Sequence, residues 1–296
     1  MRVGIIDIGS NTVRLLVASR GERGVVAVRE ERAASGLARD IERTGAISKG
    51  KLRDAVELAR SLGQVAAEEG ADRLQVLVAA PGRQAENGDE LLAALAAAGT
   101  GAHVHALSAE EEGRFAFAGA VAALPCPPAS IAVCDVGGGS TQLVFGTPLE
   151  GPVWFRSLDI GSRRLAQRCF AHDPPRPDEV AAAEAEVEHC FTGLAPPLPR
   201  AALATGGTAR ALRRLVGRTL SARALAQARK RLAGRSSLEL AASYGLEPWR
   251  AETLAAGAIA LAETQRRLGV PLVVARAGLR EGAALELLDQ AAAEAA

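Results

Sequence analysis

The amino-acid sequence carries one short pattern twice, and that repeat constrains the fold more than any other feature. Val3-Gly4-Ile5-Ile6 reads as a buried strand, followed by Asp7-Ile8-Gly9-Ser10-Asn11-Thr12 and a second apolar run, Val13 to Ala18. Ile131-Ala132-Val133-Cys134 begins the same series, continuing through Asp135-Val136-Gly137-Gly138-Gly139-Ser140-Thr141 into Leu143-Val144-Phe145. In both places a Gly-containing spacer (Gly21 to Gly24; Gly146 to Gly151) leads into a third apolar run, Val25 to Val28 and Val153 to Phe155. Such spacers suit hairpin connections. Strand, Asp, Gly-rich turn and strand, occurring twice, predict a duplicated fold of two similar halves around a central cleft.

Between and after the repeats the apolar spacing is helical. Leu52, Val56, Ala59, Leu62 and Ala66 recur along one face of Lys51 to Glu69, and Gly70 is placed to end that helix. A strand is expected over Leu74 to Ala79, a helix over Glu90 to Ala98, and another over Ser108 to Ala123, stopped by Pro125 and Pro127-Pro128. Further helices are expected over Pro177 to Phe191, Thr208 to Gly217, Ala222 to Ala233 and Arg250 to Leu268. A strand over Leu272 to Val274 and a last helix over Leu279 to Ala293 complete the pattern. Strands alternating with helices make an α/β fold. The break near Cys126 divides the chain into α/β domains over residues 1–124 and 125–296, with the last helix free to pack back on the first.

Composition narrows the partners. A chain of 296 residues is longer than one core usually fills, which agrees with two domains. Its 35 Lys and Arg nearly cancel 34 Asp and Glu, leaving a formal charge of +1. DNA-binding and membrane-surface proteins usually carry a clear basic excess, so neither is expected. Aromatic residues are 3% of the chain, too few for a base-stacking platform. A polyanion would have to meet a local cluster, and one exists. Between Leu203 and Leu238 lie Arg210, Arg213, Arg214, Arg218, Arg223, Arg229, Lys230, Arg231 and Arg235, with no Asp or Glu.

Cys126, Cys134, Cys169 and Cys190 lie far apart without a C-x-x-C pair, which excludes a disulfide scaffold and a zinc-type spacing. They read as small core residues in a reducing compartment. Asp7 interrupts the N-terminal apolar stretch too early for a signal peptide, and no run is apolar enough to span a membrane. A soluble, cytoplasmic protein is expected. His103, His105, His172 and His189 form no metal-spaced motif, and His103 and His105 alternate as exposed-face residues of a strand.

Three Gly-rich turns follow strands: those at Asp7, at Asp135, and Ala204-Thr205-Gly206-Gly207-Thr208-Ala209-Arg210. Glycine lets backbone N–H groups approach a phosphate without Cβ obstruction, and Ser or Thr hydroxyls add donors. An Asp at a strand end can hold Mg²⁺, which prefers a few carboxylates with water and substrate oxygens. Two echoed Asp-Gly turns and a Gly-Gly-Thr turn opening a helix therefore point to phosphate binding.

These motifs, with Leu107-Ser108-Ala109-Glu110-Glu111-Glu112-Gly113-Arg114-Phe115 and Gly278-Leu279-Arg280-Glu281-Gly282, span almost the whole chain. In that order they resemble the exopolyphosphatase and guanosine-pentaphosphate phosphatase family of the actin/sugar-kinase/Hsp70 superfamily. The resemblance implies two ribonuclease-H-like (actin-like ATPase) domains in the short form that lacks the helical C-terminal domain of longer members. It implies release of terminal phosphate from polyphosphate or from guanosine penta- or tetraphosphate in the stringent response, with Mg²⁺ or Mn²⁺ as cofactor and a homodimer as a possible assembly. Asp7, Asp135 and Gln142 would serve the metal. Ser10, Asn11, Gly138, Gly139, Ser140, Thr141, Gly207, Thr208 and Arg210 would hold phosphates. Arg83 would grip one, since a guanidinium fork suits phosphate oxygens. Glu112 matches the catalytic base, with Glu110 as fallback.

Ser108 and Glu111 are also spaced as a capping box, so part of the acidic trio has a structural use. The Arg280-Glu281-Gly282 motif reads as a structural tie between the last helix and the cleft region. Three departures from the family pattern stand out. Gln142 replaces a Glu, Ala79-Ala80-Pro81-Gly82 lacks hydroxyls usual before the arginine, and Ala109 and Ala275 replace Gly and Ser. These allow a weakly catalytic polyphosphate- or alarmone-binding sensor as an alternative, and a small-molecule kinase of the same superfamily as another.

Overall fold

The computed structural model describes residues 1–294. The chain divides into two compact units, Pro127–Arg276 and Met1–Cys126, the latter joined by the segment from Ala277 onward. In the first unit β1 (Arg2–Ile8), β2 (Thr12–Arg20) and β3 (Val25–Ala34) run as successive antiparallel hairpins. Then follow α1 (Leu37–Thr44), α2 (Lys49–Glu68), β4 (Arg73–Val78), α3 (Ala80–Gln84), α4 (Gly88–Ala96), β5 (His103–Ala106) and α5 (Ala109–Ala122). The sheet order is β3-β2-β1-β4-β5, with β4 parallel to both neighbours.

The second unit repeats this plan. β6 (Ile131–Val136), β7 (Thr141–Thr147) and β8 (Gly151–Leu158) are antiparallel neighbours, followed by α6 (Ser162–Cys169), α7 (Pro177–Cys190), β9 (Ala201–Thr205) and α8 (Gly206–Val216). Next come β10 (Thr219–Leu220), α9 (Ala222–Leu232), α10 (Ser237–Tyr244), α11 (Pro248–Ala251), α12 (Leu254–Leu268) and β11 (Leu272–Val274). The order is β8-β7-β6-β9-β11-β10, so strands one to four of each unit are arranged alike, and β11, parallel to β9, takes the place that β5 holds beside β4. Both sheets therefore have the ribonuclease-H-like order, and the duplication read from the two Asp-Gly turns is real.

Period-two burial builds the first unit's core. Val3, Ile5, Leu16 and Ala18 face one side of the sheet, while Ile6, Ile8, Val13, Leu15 and Val17 face the other. The second face packs on α1, α2 and α4 through Leu37, Ile41, Ala59, Leu62 and Leu91. The first packs on α5 and on α13 (Leu279–Glu294) through Phe115, Ala283, Ala284 and Leu288. A sheet covered on both faces explains why its central strands are apolar nearly throughout. Helices α5 and α13 touch through glycine: a Cβ on Gly119 would overlap the Gly278 carbonyl, and one on Gly282 the Phe115 carbonyl.

Arg280, 6% exposed, donates to the Leu15 carbonyl at 3.0 Å and to Glu30 Oε1 at 2.8 Å. The Arg280-Glu281-Gly282 motif thus fastens the last helix to β2 and β3. Other expectations need correction. The helix expected over Arg250 to Leu268 is two, broken at Glu252 and Thr253, with Pro248 starting the first and the buried Thr253 hydroxyl turned back onto the Arg250 carbonyl at 3.3 Å. Only Cys134 is a fully buried thiol; Cys126 is exposed and the other two are half-buried. Burial pushes the Cys134 thiol pKa well up. No helix among the described residues is long and apolar enough to cross a membrane.

Candidate functional site

In the first unit the β1–β2 turn closes with the Gly9 N–H donating to the Thr12 carbonyl at 2.9 Å. Ser10 and Asn11 form its tip and are 7% and 8% exposed. The turn's carbonyls are drawn toward the start of α1: Ala38 N–H donates to Ser10 O at 2.8 Å and Ser35 N–H to Asn11 O at 2.9 Å. Asp7, half-buried at the end of β1, lies directly opposite Arg14 in the β1–β2 register. Arg14 Nε donates to Thr12 Oγ1 at 3.1 Å.

The same unit holds the acidic helix start. Ser108 caps α5, accepting from the Glu111 N–H at 3.1 Å, while Glu111 Oε2 accepts from the Ser108 N–H at 2.8 Å. Glu111 also meets His105 Nε2 at 2.8 Å. Burial works to raise the Glu111 pKa, but these hydrogen bonds outweigh it and the net shift is downward. Glu110 points to solvent. Glu112 is 8% exposed, and its Oε2 meets Arg83 Nη2 at 2.5 Å. Arg83 Nη1 donates to the Leu107 carbonyl, also at 2.5 Å. The structure therefore separates the three glutamates: one caps, one is solvated, and one is an enclosed carboxylate held by the arginine that the sequence singled out.

Arg83 sits on the short helix α3, whose first turn contains Pro81. Gly82 and Gly88 are in backbone contact, since a Cβ on Gly88 would overlap the Gly82 carbonyl. The glycines here thus set how closely α3 and α4 approach behind Arg83.

The second unit closes its hairpin with the same backbone bond but ties the turn down through a different carbonyl. Gly137 N–H donates to the Ser140 carbonyl at 3.0 Å. Ser162 N–H donates to Gly137 O at 2.8 Å, and the Arg163 and Arg164 N–H groups both donate to Gly138 O at 3.0 Å. Asp135 is opposite Gln142 in the register, as Asp7 is opposite Arg14. Gln142 Nε2 donates to Ser140 Oγ at 2.8 Å, the counterpart of the Arg14–Thr12 contact. Gly161 is required here, because a Cβ would collide with the Gly138 carbonyl.

The third turn leads from β9 into α8. Gly206 has φ +81° and leaves room for Asp135, whose Oδ1 a Cβ would strike. Gly207 lies against the Arg250 guanidinium, with Cζ 2.9 Å from where a Cβ would stand. Arg250 stacks on the Trp249 ring at 4.6 Å. Arg210 follows one turn along α8, half-buried. Thr141 and Thr208 are 0% and 1% exposed. The Thr141 hydroxyl is used internally on the Ile160 carbonyl, and Thr208 Oγ1 is enclosed with no hydrogen-bond partner among the described residues, so neither hydroxyl is presented at a surface.

Three arginines escaped the sequence reading. Arg163 and Arg164, each 7% exposed, lie at the start of α6. Arg163 Nη2 reaches the Trp249 carbonyl at 3.2 Å and Arg164 Nη1 reaches Asp159 at 2.5 Å, tying the Gly137 turn to the segment carrying Arg250. An exposed-looking Ser-Arg-Arg sequence gives no signal of burial. Arg250 was readable only as a helix start.

The acid-free arginine stretch is also less free than its composition suggests. Arg214 donates to the Gly245 carbonyl, Arg231 to the Leu215 carbonyl, and Arg218 to the Val274 carbonyl at 3.3 Å. Arg229 pairs with Glu184, and Arg235 donates to Ser243 Oγ at 2.5 Å. The side chains of Arg210, Arg213, Arg223 and Lys230 have no hydrogen-bond or ion-pair partner among the described residues.

For a metal, the donor set matters. Among the described residues no three His, Cys, Asp or Glu side chains converge, so there is no all-protein cage. Asp135 beside the neutral Gln142 instead fits an ion that keeps water and substrate oxygens, the habit of Mg²⁺.

A duplicated ribonuclease-H-like α/β fold with matched strand–Asp–Gly turn–strand hairpins defines the class. Within it, this chain belongs to the Ppx/GppA phosphatase family, whose model matches residues 16–291. Exopolyphosphatase 1 of Mycobacterium tuberculosis is 30% identical over 310 residues, covering 99% of this chain and 90% of that protein. Exopolyphosphatase 2 of the same organism is 29% identical over 315 residues, covering 97% and 98%. The crystal structure of the Aquifex aeolicus Ppx/GppA family member is similar with a TM-score of 0.83 at 26% identity, covering 99% of this chain and 98% of that one.

Proposed function

We propose that this chain is a phosphoanhydride hydrolase releasing terminal phosphate from inorganic polyphosphate, with guanosine pentaphosphate as the second candidate substrate. The observation that carries the reading is the Arg83–Glu112 pair. An enclosed carboxylate, separated from its solvated and capping neighbours and oriented by a guanidinium, suits a base that takes a proton from water. The water oxygen bonds to the terminal phosphorus as the bridging P–O bond breaks. The electron pair leaves on the shortened chain and the proton goes to Glu112. Little covalent chemistry falls to the protein, so positioning and charge do the rest.

Arg83 holds Glu112 and keeps further N–H donors for a phosphate oxygen. Ser10, Asn11, Gly138, Gly139 and Ser140 offer the two hairpin turns as phosphate cradles. Gly207, Arg210 and Arg250 add the start of α8, where backbone N–H groups lack intrahelical acceptors. Asp7 and Asp135 would be the carboxylates that hold Mg²⁺ or Mn²⁺, which would neutralise phosphate oxygens. Arg210, Arg213, Arg223 and Lys230 form the unpaired remnant of the basic stretch and suit a polyanion tail. The membership in the family and the exopolyphosphatase relatives support the substrate class.

Gln142 favours a second reading. With its amide spent on Ser140 and one negative charge fewer beside Asp135, metal binding weakens, as in a sensor that binds without turnover. Purified protein with Mg²⁺ and polyphosphate, or guanosine pentaphosphate, distinguishes these. Free phosphate supports the hydrolase; binding without release supports the sensor. Transfer from ATP to an acceptor would replace both with a kinase.

A further inference from the structure

Ser35 and Ser162 lie in different units and in none of the motifs, yet they make the same contact. Each follows its unit's third strand, and they are 3% and 0% exposed. Ser35 Oγ donates to the Gly9 carbonyl at 3.1 Å, and Ser162 Oγ donates to the Gly137 carbonyl at 3.1 Å. Gly9 and Gly137 are the first glycines of the two hairpin turns.

A trans peptide plane points its carbonyl and the following N–H in opposite directions. Fixing Gly9 O on Ser35 therefore aims the Ser10 N–H the other way, and fixing Gly137 O on Ser162 does the same for Gly138. Neither the Ser10 nor the Gly138 N–H has an acceptor among the described residues. The two turns thus share one N–H left for an external anion, each aimed by one buried hydroxyl.

We infer that Ser35 and Ser162 are a matched pair of positioning residues, each turning one peptide so that the N–H of Ser10 or Gly138 faces a phosphate oxygen. The inference rests on the phosphate reading of the turns and extends it to two residues that touch no substrate. It also orders them. Gly137 O keeps the Ser162 N–H at 2.8 Å if the hydroxyl is lost, whereas among the described residues Gly9 O has only the Ser35 hydroxyl. Loss at Ser35 therefore costs more.

The test is calorimetric binding of tripolyphosphate in EDTA to wild type, Ser35→Ala, Ser35→Cys and Ser162→Ala, beside thermal unfolding and phosphate-release kinetics with Mg²⁺. One neutral hydrogen bond corresponds to about a 3- to 10-fold weakening for Ser35→Ala, with a smaller loss for Ser162→Ala. Ser35→Cys keeps the volume, so it should weaken binding like the Ala variant while unfolding near wild type. In the kinetics KM should rise more than kcat falls. Variants that bind tripolyphosphate as wild type does while melting earlier would make the serines merely structural and overturn the inference. So would a wild type that does not bind tripolyphosphate. A wild type that binds but releases no phosphate would overturn the hydrolase reading instead, leaving the ratio of dissociation constants to judge the serines.

Discussion

Replacing Glu112 with Gln separates chemistry from folding. The amide is nearly isosteric and keeps an oxygen to accept from Arg83, so what it removes is charge. A hydrogen bond to a charged group is worth about 1.5–3 kcal/mol and a neutral one about 0.5–1.5. The Arg83 side chain is 26% exposed against 10% for Glu112, so solvent screening trims the difference. A stability loss of about 1 kcal/mol follows, or a Tm shift of about 2–4 °C for a unit of this size. A lost general base costs about 10²–10⁴ in rate, equivalent to ~3–5 kcal/mol of barrier. The two scales do not overlap. Phosphate release from polyphosphate, measured with thermal unfolding on the same preparation, should show turnover down at least a hundredfold with the melt nearly unchanged. Glu110→Gln, altered at a solvated position of the same helix turn, should turn over as wild type does. A Glu112→Gln protein retaining a third or more of wild-type turnover would refute the assignment, as would a loss matched by unfolding.

Gln142→Glu restores a carboxylate opposite Asp135, so half-saturation should require less Mg²⁺, read from phosphate release across a metal titration. Neutralising Arg210 and Arg213 together should weaken long-chain polyphosphate and flatten its salt dependence, while Arg214→Ala, which loses a bond to the Gly245 carbonyl, should act on the melt instead. The Arg176 N–H and His172 hold the Glu179 pKa at about 2, down from 4.5. A depressed carboxylate pKa contributes stability above the unfolded value that is lost as pH falls through the folded one. Wild type should therefore lose Tm between about pH 4.5 and 2, and Glu179→Gln should lose less over that window.

The parts of the fold that were legible are those where local and long-range demands agree. The Leu272–Val274 strand has its expected bounds, and the Ser108 cap and Gly70 helix end stand where capping chemistry put them. The duplicated hairpins were legible because Asp, glycine and short apolar runs each have few uses at a strand end. The helices that went unread, α1, α3, α6 and α10, are eight residues or fewer, too short to show an apolar stripe, and α1, α6 and α10 each have a glycine at one end or both. At the site, Arg83 and Glu112 were readable from their motifs, but their contact spans two helices distant in sequence. Ser35, Ser162, Arg163 and Arg250 act through tertiary contacts to turns far along the chain, which no spacing encodes. Composition likewise could not tell a free arginine from one bonded to a helix-end carbonyl.

The proposed reaction is attack by water on a terminal phosphoanhydride, and ¹⁸O-labelled water tests it directly. Protein turning over polyphosphate with Mg²⁺ in H₂¹⁸O should release orthophosphate carrying one ¹⁸O each, with none entering the shortened chain, and Glu112→Gln should abolish that product. Released phosphate without label, or label-free transfer of phosphate to an acceptor, would contradict it.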